Sequence, residues 1–129
     1  MSASPVDRET VTLDPSGGIP VVEVYFGQAQ AGRFNLYLQD PSKQQTKVGS
    51  AGTASGGEIA SVSVGKKASD LNNWWICIDI TVMAPTGGDG QRYLAVTSLK
   101  QDGNSLISVE QSDDFSGNSE SLLVYLKCQ

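Results

Sequence analysis

The sequence predicts an all-β, single-domain antiparallel β-sandwich of jelly-roll or Greek-key type, with about eight strands. Apolar residues recur at every second position in one segment after another, which is the spacing of half-buried strands, and no convincing segment has helical spacing. Clusters of Gly, Pro, Asn and Asp separate these segments, as between antiparallel strands. A length of 129 residues suits one domain with one core, so the domain is expected to span residues 1–129.

The alternation places the strands in order along the chain. They are predicted at residues 9–13, 20–27, 32–39, 58–64, 74–84, 91–100, 105–111 and 121–128. Residues 1–8 come before the first strand and are expected to form a flexible N-terminal tail. The clearest hairpin is KQDGNSL at residues 100–106, because Asp-Gly or Gly-Asn can adopt the positive φ angles of a tight primed or bulged turn.

Two segments interrupt this regular pattern. Residues 40–57, DPSKQQTKVGSAGTASGG, are long for a connection, so they form a functional loop, a disordered loop or a loop containing a short edge strand around residues 46–49. Residues 68–73, ASDLNN, are expected to form one helical turn capped by Ser69 or Asp70.

The alternation also assigns a face to each side chain of the sixth predicted strand, which contains both tryptophans of the chain. Successive side chains of a strand point to opposite faces, so Trp74 is expected in the core and Trp75 outside it. The predicted core face carries Trp74, Ile76, Ile78, Ile80 and Val82, and the opposite face carries Trp75, Cys77, Asp79, Thr81 and Met83.

In the other strands the same pattern separates phenylalanine from tyrosine. Phe26 and Phe34 fall on core faces, whereas Tyr25, Tyr37 and Tyr125 fall outside with polar neighbours. Residues 91–100 fit two phases, one with Leu94 and Val96 inside and Tyr93 exposed, the other with Tyr93, Ala95, Thr97 and Leu99 inside.

The outward rings indicate a binding surface. Trp and Tyr rings bury large areas and carry a hydrogen-bonding tip, which suits the faces of sugars and protein interfaces. The predicted ligand-binding residues are the four outward rings with three polar neighbours: Trp75, Tyr25, Tyr37, Tyr125, Arg33, Asn35 and Asp79. The leading hypothesis is a non-enzymatic binding protein that holds a carbohydrate or similar polar ligand, in the manner of a lectin or carbohydrate-binding module.

The same rings fit two other interpretations. They could bury against another protein in an assembly, either a homo-oligomer or a complex in which this chain is an acidic inhibitor, an immunity-type protein or a subunit. They could also be ordinary aromatic residues of an exposed sheet, placed there by β propensity and cross-strand pairing.

Calcium is the one cofactor that the sequence suggests, and it predicts no other. Residues 101–120 contain five carboxylates and neither Lys nor Arg, and the segment SDDFSGNSE offers hard oxygen ligands on a glycine-bent loop. The candidate ligands are Asp113, Asp114, Asn118 and Glu120, and Asp89 could join them. Their spacing departs from that of the calcium-binding loop D-x-[DN]-x-[DN]-G.

The absence of histidine argues against several kinds of enzyme. It excludes the Ser-His-Asp triad, the Cys-His pair and histidine metal sites, and no phosphate-binding or dinucleotide-binding motif is present. We therefore predict no catalytic residues. Cys77 and Cys128 are too few and too far apart for a disulfide scaffold or a zinc site, and are expected to be reduced and part-buried.

Charge and hydropathy restrict the partners. A net charge of -5 disfavours nucleic acid and anionic membranes, but suits a basic protein partner by electrostatic steering. No apolar run approaches the length of a membrane span, and the N-terminal segment lacks the pattern of a signal peptide. The expected location is the cytoplasm, or outside the cell after export without a cleaved signal.

Overall fold

Nine strands and one short helix form in the part of the chain that the computed structural model describes, which is residues 6–27, 30–54, 56–84 and 91–129. The strands are β1 (Val6–Val11), β2 (Val21–Phe26), β3 (Ala31–Gln39), β4 (Gln45–Thr53), β5 (Ile59–Ser63), β6 (Trp75–Met83), β7 (Arg92–Gln101), β8 (Asn104–Asp114) and β9 (Ser119–Cys128). A 3-10 helix, Ala68–Asp70, lies between β5 and β6. In the described residues, no helix is both long enough and apolar enough to cross a membrane.

The strands form two sheets, which confirms the predicted β-sandwich. The five-stranded sheet has the order β1-β9-β6-β3-β4, and the four-stranded sheet has the order β5-β2-β7-β8. Among the described strands, β3 with β4 and β7 with β8 are hairpins, and each other connection passes from one sheet to the other. Such crossing connections are typical of Greek-key sandwiches.

The core lies between the sheets, where the predicted inward side chains meet. The alternation is confirmed in β2, β3, β6 and β9, where buried side chains alternate with more exposed ones, except that the outward Cys77 of β6 is also buried. The fully buried residues include Val22, Val24, Phe26, Phe34, Leu36, Ile76, Ile78, Ile80, Val82, Leu122 and Val124.

The β7–β8 hairpin is confirmed, and it settles the phase of β7. Asp102 and Gly103 have φ angles of 54° and 79°, the positive values that a type I′ turn requires at its two central residues. Tyr93 is buried, and its ring meets that of Phe115 edge-on with the centroids 5.6 Å apart. The correct phase of β7 is therefore the one with Tyr93, Ala95, Thr97 and Leu99 inside.

The alternation in the sequence does not predict the full length of β4. The edge strand considered for residues 46–49 extends over nine residues and pairs with β3 along its length. The turn before it, DPSK, is stabilised by the Asp40 carboxylate, which accepts hydrogen bonds from the backbone N–H groups of Ser42 and Gln44 at 2.9 and 3.0 Å. Small and polar residues obscure the alternation in β4, because as an edge strand it contributes little to the core.

Two further expectations need correction at β1 and at the helical turn. Residues 6–8 do not form part of the expected tail: they belong to β1, which pairs in parallel with β9, so the sandwich is not wholly antiparallel. Residues 1–5 lie outside the described part of the chain. The helical turn forms, but Lys67 occupies the N-cap position and no side chain caps it, so the expected caps Ser69 and Asp70 are wrong.

Candidate ligand-binding face

The outward side of the five-stranded sheet, called the outer face below, gathers most of the predicted binding residues. Cross-strand pairing arranges its side chains in rows that run from β1 to β4. One row is Arg8, Tyr125, Cys77, Tyr37 and Lys47; the next contains Thr10, Lys127, Trp75, Gln39 and Gln45; the row on the other side contains Val6, Leu123, Asp79, Asn35 and Ser50.

Three aromatic rings surround Cys77 at the middle of the outer face. Tyr37 and Tyr125 are its neighbours on the two adjoining strands, so their Cα atoms lie about 10 Å apart, two strand spacings. Trp75 lies two residues along β6, about 7 Å from Cys77. Cys77 is only 4% exposed although it points outward. Burial raises the pKa of its thiol, and a hydrogen bond with Gln45 opposes that shift.

Two depressions lie between these rings. The first, of about 310 Å³, is lined by Tyr37, Asp79, Tyr125 and Gln45, and the second, of about 280 Å³, by Trp75, Tyr125, Arg8 and Gln39. Cys77 lines both. The small thiol between two tyrosines therefore leaves space on either side of Tyr125. Both aromatic and polar side chains line that space.

A third depression extends the outer face toward the other end of β6. Ala31, Ser50 and Gly52 are small, and they leave about 480 Å³ beside Arg33 and Met83. Met83 and Trp75 are eight residues apart on β6, so the three depressions follow about 27 Å of strand. The outer face could therefore accommodate an extended molecule.

Polar groups lie beside the rings. The Arg8 guanidinium lies over the Tyr125 ring, 5.1 Å from its centroid, so β1 contributes a cation to the site. Asn35 and Asp79 are cross-strand partners, and Asp79 lines the first depression. In the described part of the chain, no cation forms an ion pair with Asp79, so its carboxylate is available to accept hydrogen bonds.

The structure brings together six of the seven predicted binding residues and separates one. Trp75, Tyr37, Tyr125, Arg33, Asn35 and Asp79 share the outer face. Tyr25 is on β2 of the four-stranded sheet, between Ile59 and Val96. It therefore points outward on the side of the molecule opposite the outer face. The alternation correctly puts Tyr25 outside, but it cannot tell which sheet a strand joins.

Sequence reasoning missed Arg8, Gln39 and Gln45 as members of the site. Arg8 falls in the expected tail and Gln45 in the expected loop, so the alternation predicts no sheet face for either residue. Gln39 continues the outward phase of Tyr37, and that phase could have identified it from the sequence.

Three of the four candidate calcium ligands, Asp113, Asp114 and Glu120, have other partners in the structure. Glu120 accepts hydrogen bonds from the Ser116 N–H and hydroxyl at 2.7 and 2.8 Å, and Asp114 lies 3.6 Å from Arg92. Asp113 accepts from the Asp114 N–H. No group of three or more metal-binding side chains occurs within the described ranges, and Asp89 lies outside them. Calcium binding at Asp113, Asp114, Asn118 and Glu120 stays a prediction, which a melting temperature unchanged by a chelator would contradict.

No protein-family model, curated protein or solved structure matches this chain. Its own residues are therefore the basis for a proposed function.

Proposed function

We propose that the protein is a non-enzymatic binding protein that holds a carbohydrate on the outer face. The observation that carries this proposal is the arrangement of Trp75, Tyr37 and Tyr125 around two depressions whose walls also carry polar side chains. A sugar ring presents CH groups on its faces and hydroxyls at its edge. Aromatic rings stack on the CH groups, and carboxylate, amide and guanidinium groups hydrogen-bond to the hydroxyls.

The polar groups suit a neutral ligand that is rich in hydroxyls. Asp79 accepts hydrogen bonds, Arg8 donates them, and Gln39 and Gln45 do both, so the walls can satisfy hydroxyls in either role. The three depressions follow the same sheet face, which favours an oligosaccharide over a single sugar.

Fluorescence of Trp75 tests the proposal directly. In the variant Trp74→Phe the only tryptophan lies on the outer face, so we expect its emission to change when soluble oligosaccharides from a panel are added. In that background Tyr37→Ala and Tyr125→Ala should each weaken binding about fivefold or more, the effect of losing one stacking contact of about 1 kcal/mol.

Tyr25→Ala is the matched control, because it removes an outward tyrosine from the opposite sheet. It should leave the affinity unchanged. If no oligosaccharide changes the emission of Trp75, or if Tyr25→Ala weakens binding as much as Tyr37→Ala, the carbohydrate proposal is wrong.

A protein interface at the outer face is the second candidate function. Trp, Tyr and Arg are the residue types that dominate the binding energy of protein interfaces, and Trp75, Tyr37, Tyr125 and Arg8 lie together. Sedimentation would support it by revealing a dimer that Trp75→Ala disrupts and Tyr25→Ala does not. The partner would then be a second copy; a monomer at all concentrations excludes that form of the interface.

A further inference from the structure

A separate cavity lies away from the outer face, where the two sheets meet at one end of the sandwich. Its volume is about 470 Å³, within the range of pockets that hold small molecules. Leu38 and Val48 line it from the five-stranded sheet, and Val64 lines it from the segment that follows β5. These aliphatic side chains belong to the core or pack against it, so the cavity opens from solvent onto core surface.

Trp74 and Lys66 also line this cavity. The Trp74 ring is partly buried and packs against the core, on the opposite side of the sheet from Trp75. The Lys66 ammonium lies 5.2 Å from the centroid of that ring. Within the described part of the chain, Lys66 makes no ion pair with a carboxylate, and Lys67 beside it adds a second positive charge. An apolar cavity thus has an uncompensated cation at its opening.

We propose that this cavity binds a small amphipathic anion, a molecule with an apolar body and one carboxylate. The apolar body would pack on Leu38, Val48, Val64 and the Trp74 ring, while its carboxylate would pair with the Lys66 ammonium. The positive charges of Lys66 and Lys67 favour an anion over a cation or a neutral molecule at this opening, although the chain as a whole carries a net charge of -5. The site is independent of carbohydrate binding on the outer face.

The alternative role for Lys66 is purely structural. A lysine can cover an aromatic ring with its methylene chain and ammonium group without binding any ligand. Comparing a charged probe with a neutral probe of the same chain length separates the two roles, because packing alone gives no preference for the carboxylate.

The test uses Trp75→Phe, whose only tryptophan is Trp74. Decanoate and decanol are added separately at neutral pH, below the concentration at which either aggregates. We expect decanoate to change the Trp74 emission saturably and to bind more tightly than decanol. Lys66→Gln should weaken decanoate binding about fivefold, the upper end of what one solvent-exposed ion pair contributes, and leave decanol binding unchanged.

Lys67→Gln is the matched control, since it makes the same change in net charge at the adjacent position, whose side chain does not line the cavity. It should keep most of the preference for decanoate. The proposal is overturned if decanoate leaves Trp74 emission unchanged, if decanol binds equally well, or if Lys66→Gln and Lys67→Gln have equal effects. Because the Trp75→Phe variant lacks the Trp75 ring of the outer face, failure of the carbohydrate proposal would not alter the result of this test.

Discussion

Trp74 and Trp75 are adjacent in the chain, but their rings lie on opposite faces of the sheet. Trp75 lines a depression on the outer face, as its phase in the alternation predicts. Trp74 packs against the core, also as predicted, but it is only partly buried and lines the cavity between the sheets. It is the residue just before β6, so its ring lies at the end of the core and not at the centre.

The position of Trp74 determines the expected cost of deleting its ring. Trp74→Ala should lower the free energy of unfolding by about 2 kcal/mol, less than the 3 to 5 kcal/mol typical of a fully buried aromatic residue. Trp75→Ala should cost less than about 1 kcal/mol, because Trp75 lies outside the core. Urea denaturation followed by circular dichroism measures both, and equal losses would contradict the assignment of the two rings to different faces.

At the scale of elements, turn chemistry was easier to predict than edge strands. The residues Asp102 and Gly103 determine their turn locally, because type I′ geometry needs two positive φ angles. The edge strands β1 and β4 have weak patterns, and their positions depend on pairing with β9 and β3. Arg8 joins the outer face only through that pairing.

The β7–β8 turn gives a prediction about glycine. Gly103→Ala should destabilise the protein by about 1 kcal/mol, because alanine at a φ of 79° is strained even though no atom lies within 4 Å of the added Cβ.

Gly117→Ala is the matched control. It also has open space around the added Cβ, but its φ lies outside the positive range, so we expect a change below about 0.5 kcal/mol. Thermal unfolding of the two variants compares them, and equal losses would show that φ strain is not the cause.

At the scale of the whole molecule, the sandwich buries both cysteines as free thiols. Cys128 lies on the inward face of β9, and burial raises the pKa of its thiol from 9.0 to about 12. A buried neutral thiol is a poor nucleophile, because the thiolate is the reactive form.

This burial predicts slow alkylation and a loss of stability at high pH. Iodoacetamide at pH 8 should modify Cys128 in urea but not in the native protein, as peptide mass spectrometry can show. Above pH 9 the unfolded thiol releases its proton while the folded one keeps it, so the contribution of Cys128 to stability falls as pH rises toward 12. The difference in unfolding free energy between the wild type and Cys128→Ala should therefore become smaller from pH 8 to pH 11; a constant difference would contradict the raised pKa.

The sequence by itself determined the fold class and the faces of the side chains in β2, β3, β6 and β9. It could do so because the pleat makes alternate side chains point to opposite sides, a local property that a single strand displays. It also located the Asp-Gly hairpin turn and the outward direction of Trp75, Tyr37 and Tyr125.

Only the tertiary structure decided which strands share a sheet. That choice depends on contacts between residues far apart in the chain, such as β1 with β9 and β3 with β6, and no local pattern records it. It placed Tyr37, Trp75 and Tyr125 together, moved Tyr25 to the opposite side and brought Arg8 to the outer face. The cavity lined by Trp74 and Lys66 arises in the same way, because the two sheets that form it meet only when the sandwich closes.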